Sequence, residues 1–343
     1  MKKTIAMVLC AAMALTACGG GASTGDTKAA SDGKQKLVLS TYGLSEDISA
    51  EEVYAPFEQE FNCEIVTETG GTNDRYTKLA ADSESSIDVI ELSQAMTAKG
   101  IEEGLFEDID LSKIENAADM ITAAKTMADA GQGVAYTINS IGIMYNPDAV
   151  DFEIKGFDDL WDSRLEGMVS IPEITTTFGP AMVYMASDHA EAAFKALEEL
   201  KPNLVKTYAK SADLINMFTS GEVAVAVVGD FGVPTIQAAN PDLVYVTPDI
   251  TYANFNTISI TKNCKNKDLA YEYLNYRLSP ELQAKTGKAL NEAPTNKKVE
   301  FTEEESKNMT YGPKAANAKV LDYSFVNPQL NSWIDQWNRI INN

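Results

Sequence analysis

A chain of 343 residues with 45% hydrophobic content is long enough for two lobes with ordinary cores. Its formal charge of −22 argues against nucleic-acid or anionic-membrane binding, because no Lys/Arg stripe is present to neutralise phosphates. Beyond residue 18 no apolar run approaches the roughly 18 residues that a membrane helix needs.

The N-terminus sets the compartment. Lys2 and Lys3 precede an apolar run from Ile5 to Leu15, which is too brief to span a bilayer. The run ends in Leu15-Thr16-Ala17-Cys18, which resembles a bacterial lipobox. The resemblance implies a signal peptide over 1–17 and a lipid on Cys18, hence an extracytoplasmic protein anchored to the cell membrane. Residues 18–35, rich in Gly, Ser, Thr and Ala, read as a flexible tether.

Order is predicted from Lys36 to Tyr42, a strand that ends at Gly43. A helix is expected over Ser49–Phe61, with Ser49 as N-cap and Val53, Phe57 and Phe61 on one side. Strands over Cys63–Thr69 and Ile87–Leu92 flank a helix at Asp74–Ala81, and Ser93-Gln94-Ala95 opens another helix. Val134–Asn146 and Asn254–Ile260 read as long strands that cross between two lobes. Between them fall a helical turn at Phe157–Trp161, a strand at Gly167–Ile171 and the loop Pro172–Gly179 feeding a helix. Helices at Ala190–Leu200 and Asp213–Thr219, a buried strand at Val223–Val228 and a short one at Leu243–Val246 complete this half. Helices at Asp268–Tyr276 and Pro280–Leu290, and a last one carrying Trp333 and Trp337, close the chain. Alternating strands and helices predict mostly parallel sheets covered on both faces, with ligands beyond the carboxyl ends of the strands.

Cys10 leaves with the signal, so Cys63 and Cys264 remain, able to pair in an oxidising compartment or to stay free. With His189 as the sole histidine, expected at an exposed helix start, no Cys/His zinc set can be assembled. No P-loop, dinucleotide fingerprint or nucleophile elbow is present, and no carboxylate pair stands out for a hydrolase. No enzyme activity, metal or cofactor is expected.

Four stretches carry a more specific resemblance: "SIGIMYNPDAV", "FDDLWDSRLEGMVSIPE", "FTSGEVAVAVVGDFG", and "NTISITKNCKNKDLAYEYLNYRLSPELQAKTGKALNEAPTN". In this order, over about residues 36–300, they resemble the type II periplasmic solute-binding proteins of ABC importers, nearest the spermidine/putrescine-binding branch. The resemblance implies an α/β fold of two lobes joined by two crossing strands, with 36–138 plus about 257–343 as one lobe and 139–256 as the other. It implies a monomer that closes on a small solute and hands it to membrane permease subunits. In "TYGLSED" it assigns Tyr42, Ser45 and Glu46 to the ligand, with Ser93 and Gln94 after the third strand and Asn139 on the crossing strand. Asp230 and Phe231 would add a charge and a ring, and Glu173 a further acid. Asn254 and Asn256 stand where that branch carries an aromatic residue and an ammonium-holding aspartate. Thr175, Thr176 and Thr177, before a helix, suit an anionic or zwitterionic solute such as a phosphonate or sugar phosphate. The plainer roles are N-capping for the threonines, a solvated loop acid for Glu46 and a turn residue for Asp230.

Overall fold

The computed structural model describes residues 34–43 and 45–343; the signal peptide, Cys18 and nearly all of the tether lie outside the described residues. Nine strands carry the architecture. They are β1 (Gln35–Thr41), β2 (Cys63–Thr69), β3 (Val89–Ser93), β4 (Val134–Tyr145), β5 (Val169–Pro172), β6 (Leu204–Tyr208), β7 (Val225–Gly229), β8 (Val244–Val246) and β9 (Tyr252–Ile260). Their order is β2-β1-β3-β9-β4-β7-β5-β6, with β8 against β4. Strands β2, β1 and β3 run parallel, as do β7, β5 and β6. Where these two halves meet, β9 and β4 run antiparallel to their neighbours.

The join is β4. All twelve of its residues are buried, including the polar Thr137, Asn139 and Ser140. Its first part, Val134–Ser140, pairs with β9; its second, Ile141–Tyr145, pairs with β7 and β8. A strand covered on both faces reads as a near-continuous apolar run, and this one was too long for a single small sheet. Gly142 permits the close approach of β8: a Cβ there would meet Val246 O at 2.5 Å and the Tyr245 ring oxygen at 2.6 Å.

Separate cores fill the lobes. Leu37, Phe57, Val134, Ile258, Tyr273 and Leu274 belong to one cluster; Ile141, Leu160, Ile171, Met182, Leu197 and Val227 belong to another. The last helix, Tyr323–Ile340, follows the first lobe in sequence yet places Tyr323, Val326, Trp333 and Trp337 in the second lobe's cluster. No helix among the described residues is long and apolar enough to cross a membrane.

Several local expectations change. Helix begins at Glu46 rather than Ser49, with Glu46 and Asp47 in its first turn, and it widens over Ala50–Tyr54 just before Pro56. Proline lacks an amide proton, which favours such a re-registered turn ahead of it. His189 ends the helix Gly179–His189 instead of starting one. It is half-buried, stacked on Trp161 at 3.9 Å, with Nδ1 2.7 Å from Asp158 Oδ1. Cys63 and Cys264 are buried and unpaired. Burial, with Asp88 nearby, pushes the Cys264 thiol up to about 12, so it is an inert packing group.

Trp337 is fully buried at the centre of this arrangement. Trp337→Ala should lower stability by about 3–5 kcal/mol, read as a shift of the urea midpoint, with the second lobe losing its packing first.

Candidate functional site

The join between the lobes opens into a cavity of about 390 Å³. Its floor is the paired crossing strands. Alternation along a strand puts Thr137 and Asn139 of β4, and Asn254 and Asn256 of β9, on one face; the register sets Asn139 opposite Asn254 and Thr137 opposite Asn256. The three amides form a directed ladder: Asn254 Nδ2 donates to Asn256 Oδ1 (3.2 Å), and Asn256 Nδ2 donates to Asn139 Oδ1 (3.3 Å). Tyr42, from the end of β1, also donates to Asn256 Oδ1 at 3.3 Å. Asn254 Oδ1 is buried without a partner, so the ladder ends in an acceptor that lacks a donor.

One wall is ionic. Glu91, in the middle of buried β3, accepts from Arg277 Nε (3.1 Å), the Tyr273 hydroxyl (3.1 Å) and the Thr41 hydroxyl (2.7 Å). Arg277 also reaches Glu292 at 3.4–3.5 Å and lies 4.1 Å from the centre of the Tyr136 ring. Burial works against the Arg277 charge, but Glu292 and Glu91 outweigh it and hold its pKa well above the ordinary value. Glu91 is thereby saturated. Glu292, whose side chain is 21% exposed, keeps an open flank toward the cavity it lines. Tyr42 and Tyr54 also line the space; burial first, against or alongside neighbouring charges, pushes each phenol up to about 12, so both are neutral donors. Arg75 clamps Tyr42 from behind, 4.5 Å from the ring, and donates to Gly70 O and Ser40 O. From the second lobe come Thr177, Phe178, Phe231 and Lys210. Among the described residues no carboxylate lies within salt-bridge distance of Lys210.

Of the residues singled out from sequence, Tyr42, Ser45, Asn139, Thr177, Phe231, Asn254 and Asn256 line this cavity. Ser45 does so in a left-handed backbone conformation, φ 55°. Glu46 is exposed and is not among the lining residues. Ser93, Thr175 and Thr176 surround a separate pocket of about 30 Å³, room for little more than a water, which Thr177 also borders. Thr176 donates to the Glu173 carbonyl as a turn cap, and the Glu173 carboxylate accepts from Thr207 at 2.6 Å. Gln94 is buried with Oε1 unpartnered. Asp230 is buried and accepts from the Thr310 amide and hydroxyl. Glu91, Arg277 and Glu292 were not anticipated. Glu91, an acid inside the apolar stretch Ile87–Leu92, was the available signal, since a charge there needs a buried partner.

Residues 52–315 match the family of bacterial extracellular solute-binding proteins. The chain is 25% identical over 284 residues to the putrescine-binding periplasmic protein PotF of Escherichia coli (strain K12), covering 73% of this chain and 75% of that one. The crystal structure of an ABC transporter from Clostridium perfringens ATCC 13124 aligns with a TM-score of 0.80 at 50% identity, over 89% of this chain and 99% of that chain. The spermidine/putrescine ABC transporter substrate-binding protein PotD of Streptococcus pneumoniae shares the fold, with a TM-score of 0.71 at 22% identity, over 88% of this chain and 100% of that one.

Arg277→Met removes the partner of a fully buried carboxylate. Urea denaturation should show a loss of roughly 3–5 kcal/mol, the cost of an uncompensated buried charge. A loss below about 1 kcal/mol would mean that the Glu91–Arg277 pair does not hold this wall together.

Proposed function

The chain belongs to the family of bacterial extracellular solute-binding proteins, and we propose that it captures a small amine-bearing solute, a polyamine such as putrescine, between its lobes. As a solute-binding protein of an ABC transporter, it delivers its cargo to a permease rather than transforming it. In this reading the signal peptide is cut before Cys18, a lipid on Cys18 holds the protein at the cell membrane, and the chain acts as a monomer. The lobe formed by 36–138 and about 257–343, without the last helix Tyr323–Ile340, closes against 139–256, with which that helix packs.

The observation that carries the amine is the pairing of Glu292 with aromatic walls. Its carboxylate is held by Arg277 only at 3.4–3.5 Å and is the acid of the cavity with an open flank. Tyr42, Tyr54, Tyr136, Phe178 and Phe231 supply faces for an alkyl chain and for cation–π contact with an ammonium. The amide ladder of Asn139, Asn254 and Asn256 adds a polar floor beneath the solute. The cavity volume lies in the range of small-molecule sites. The putrescine-binding relative supports the same ligand class.

A second reading, an anionic or zwitterionic solute such as an amino acid or an aminophosphonate, is favoured by Lys210, a cation on the cavity wall with no acid partner among the described residues. Titration calorimetry separates the two. Putrescine or spermidine should bind the parent, and Glu292→Gln should weaken that binding by roughly 1.5–3 kcal/mol, tenfold or more, with the melting curve retained. Binding of aminoethylphosphonate or γ-aminobutyrate alone, lost in Lys210→Met, would establish the second reading instead. Binding of neither class would sink both.

A further inference from the structure

Asp230 stands at the point where the lobes meet without facing the cavity. It directly follows β7, whose Gly229 pairs with Ile141 at the middle of β4. Its Oδ2 accepts from the Thr310 amide at 3.0 Å and from the Thr310 hydroxyl; that hydroxyl lies 2.6 Å from Ser140 Oγ, the β4 residue at which pairing passes from β9 to β7. Thr310 belongs to a strap, residues 302–312, whose Met309 and Tyr311 pack in the first lobe's core. Two further bonds tie the same seam: Asn291 donates to Asp230 O (2.9 Å), and Asn308 donates to Gln237 Oε1 (3.4 Å). Asp230 and Gln237 flank Val233 and Ile236 of the second lobe's core, and Asn308 and Thr310 flank Met309 of the first lobe's core. Asp230 Oδ1, in contrast, is buried without a well-aligned partner, although the Ser140 and Phe231 amides lie near the carboxylate.

We propose that Asp230 and Thr310 form a latch across the hinge, and that raising the external pH releases it, freeing the strap and letting the lobes part. The cause is the environment of one carboxylate. Burial raises its pKa from 3.8 to about 7, against the opposing pull of the Thr310 hydroxyl and of the Ser140, Thr310 and Phe231 amides. The other ionisable groups coupled to it are Lys314, itself lowered by burial, and the phenol of Tyr245, held neutral by burial. Neither forms a bond to the carboxylate. A released strap exposes Asp230 to water, where a carboxyl loses its proton near pH 4. Latched, the group keeps its proton up to about pH 7; released, it does not. The released form therefore gains on the latched one as pH rises between these values, by about tenfold from pH 6 to pH 8.

This latch does not depend on the identity of the solute, so it is testable without one. Hydrogen–deuterium exchange of strap peptides, corrected for the intrinsic effect of pH, is measured at pH 6 and pH 8 on the full chain, with X-ray scattering at the same pH values. The parent should lose strap protection about tenfold and gain radius of gyration across that interval. Asp230→Asn keeps an acceptor for Thr310 without a titrating group, and should show neither change. Thr310→Val should exchange fast at both pH values. Strap exchange that ignores pH in the parent, or a pH response that persists in Asp230→Asn, overturns the latch. A strap that responds while the radius stays constant overturns its coupling to the lobes. If Asp230→Asn fails to fold, the parent and Thr310→Val measurements still decide.

Discussion

Everything in this molecule hangs on one strand belonging to two sheets. Because β4 hands its hydrogen bonds from β9 to β7 between Ser140 and Ile141, the two lobes share a backbone ladder and cannot be built independently. The same constraint makes the site. A strand buried on both faces has no water to satisfy polar side chains, so Asn139 must find its partner on β9, and the amides at 254 and 256 complete the chain. The ladder is at once the structural solution to polar residues on a buried strand and the floor of the cleft. Its end, Asn254 Oδ1, is buried without a partner.

The ionic wall obeys a different rule. Glu91, Arg277 and Tyr273 are each almost wholly withdrawn from water, and a buried ion pair of this kind contributes little net stability compared with apolar packing. What it supplies is position. Three donors fix Glu91, Glu91 fixes Arg277 against the Tyr136 ring, and Arg277 holds Glu292 loosely at the cavity edge. Glu292, which lines the cavity, is the outermost member of a chain whose inner members are already paired, so its charge is directed outward.

Much of the fold was legible because it rests on local signals. The alternation of apolar strands with helices, the over-long run at Val134 and the glycine that closes Val225–Gly229 each report on their own neighbourhood. What failed were pieces without such a signal. Strand β6, with Lys206 exposed and its flanking residues half-buried, has no clean alternation, and the early helix start at Glu46 depends on a left-handed Ser45. The asparagines of the cavity floor came from the family resemblance rather than from a local signal of their own. The ionic wall was not legible, because Glu91 and Arg277 meet across 186 residues of sequence, and each alone looks like an ordinary charged residue. Asp230 was legible as an acid directly after a buried strand, but neither its burial nor its direction was. Only the fold of the strap onto Ser140 shows that its carboxylate belongs to the hinge.

That division has a physical logic. An acid at the end of β7 can turn either into the cleft or along the seam between the lobes. Within the cleft it would add negative charge to a wall where Glu91 is already saturated and Glu292 already faces outward. Along the seam it meets Thr310, which brings two donors from the opposite lobe to a single oxygen and leaves the other without a well-aligned donor. A carboxylate fully committed by four donors would lock the seam, and an apolar residue would leave the strap unheld. One half-satisfied acid does neither, so the contact between lobes is strong enough to order the strap and weak enough to be undone when the chain must open.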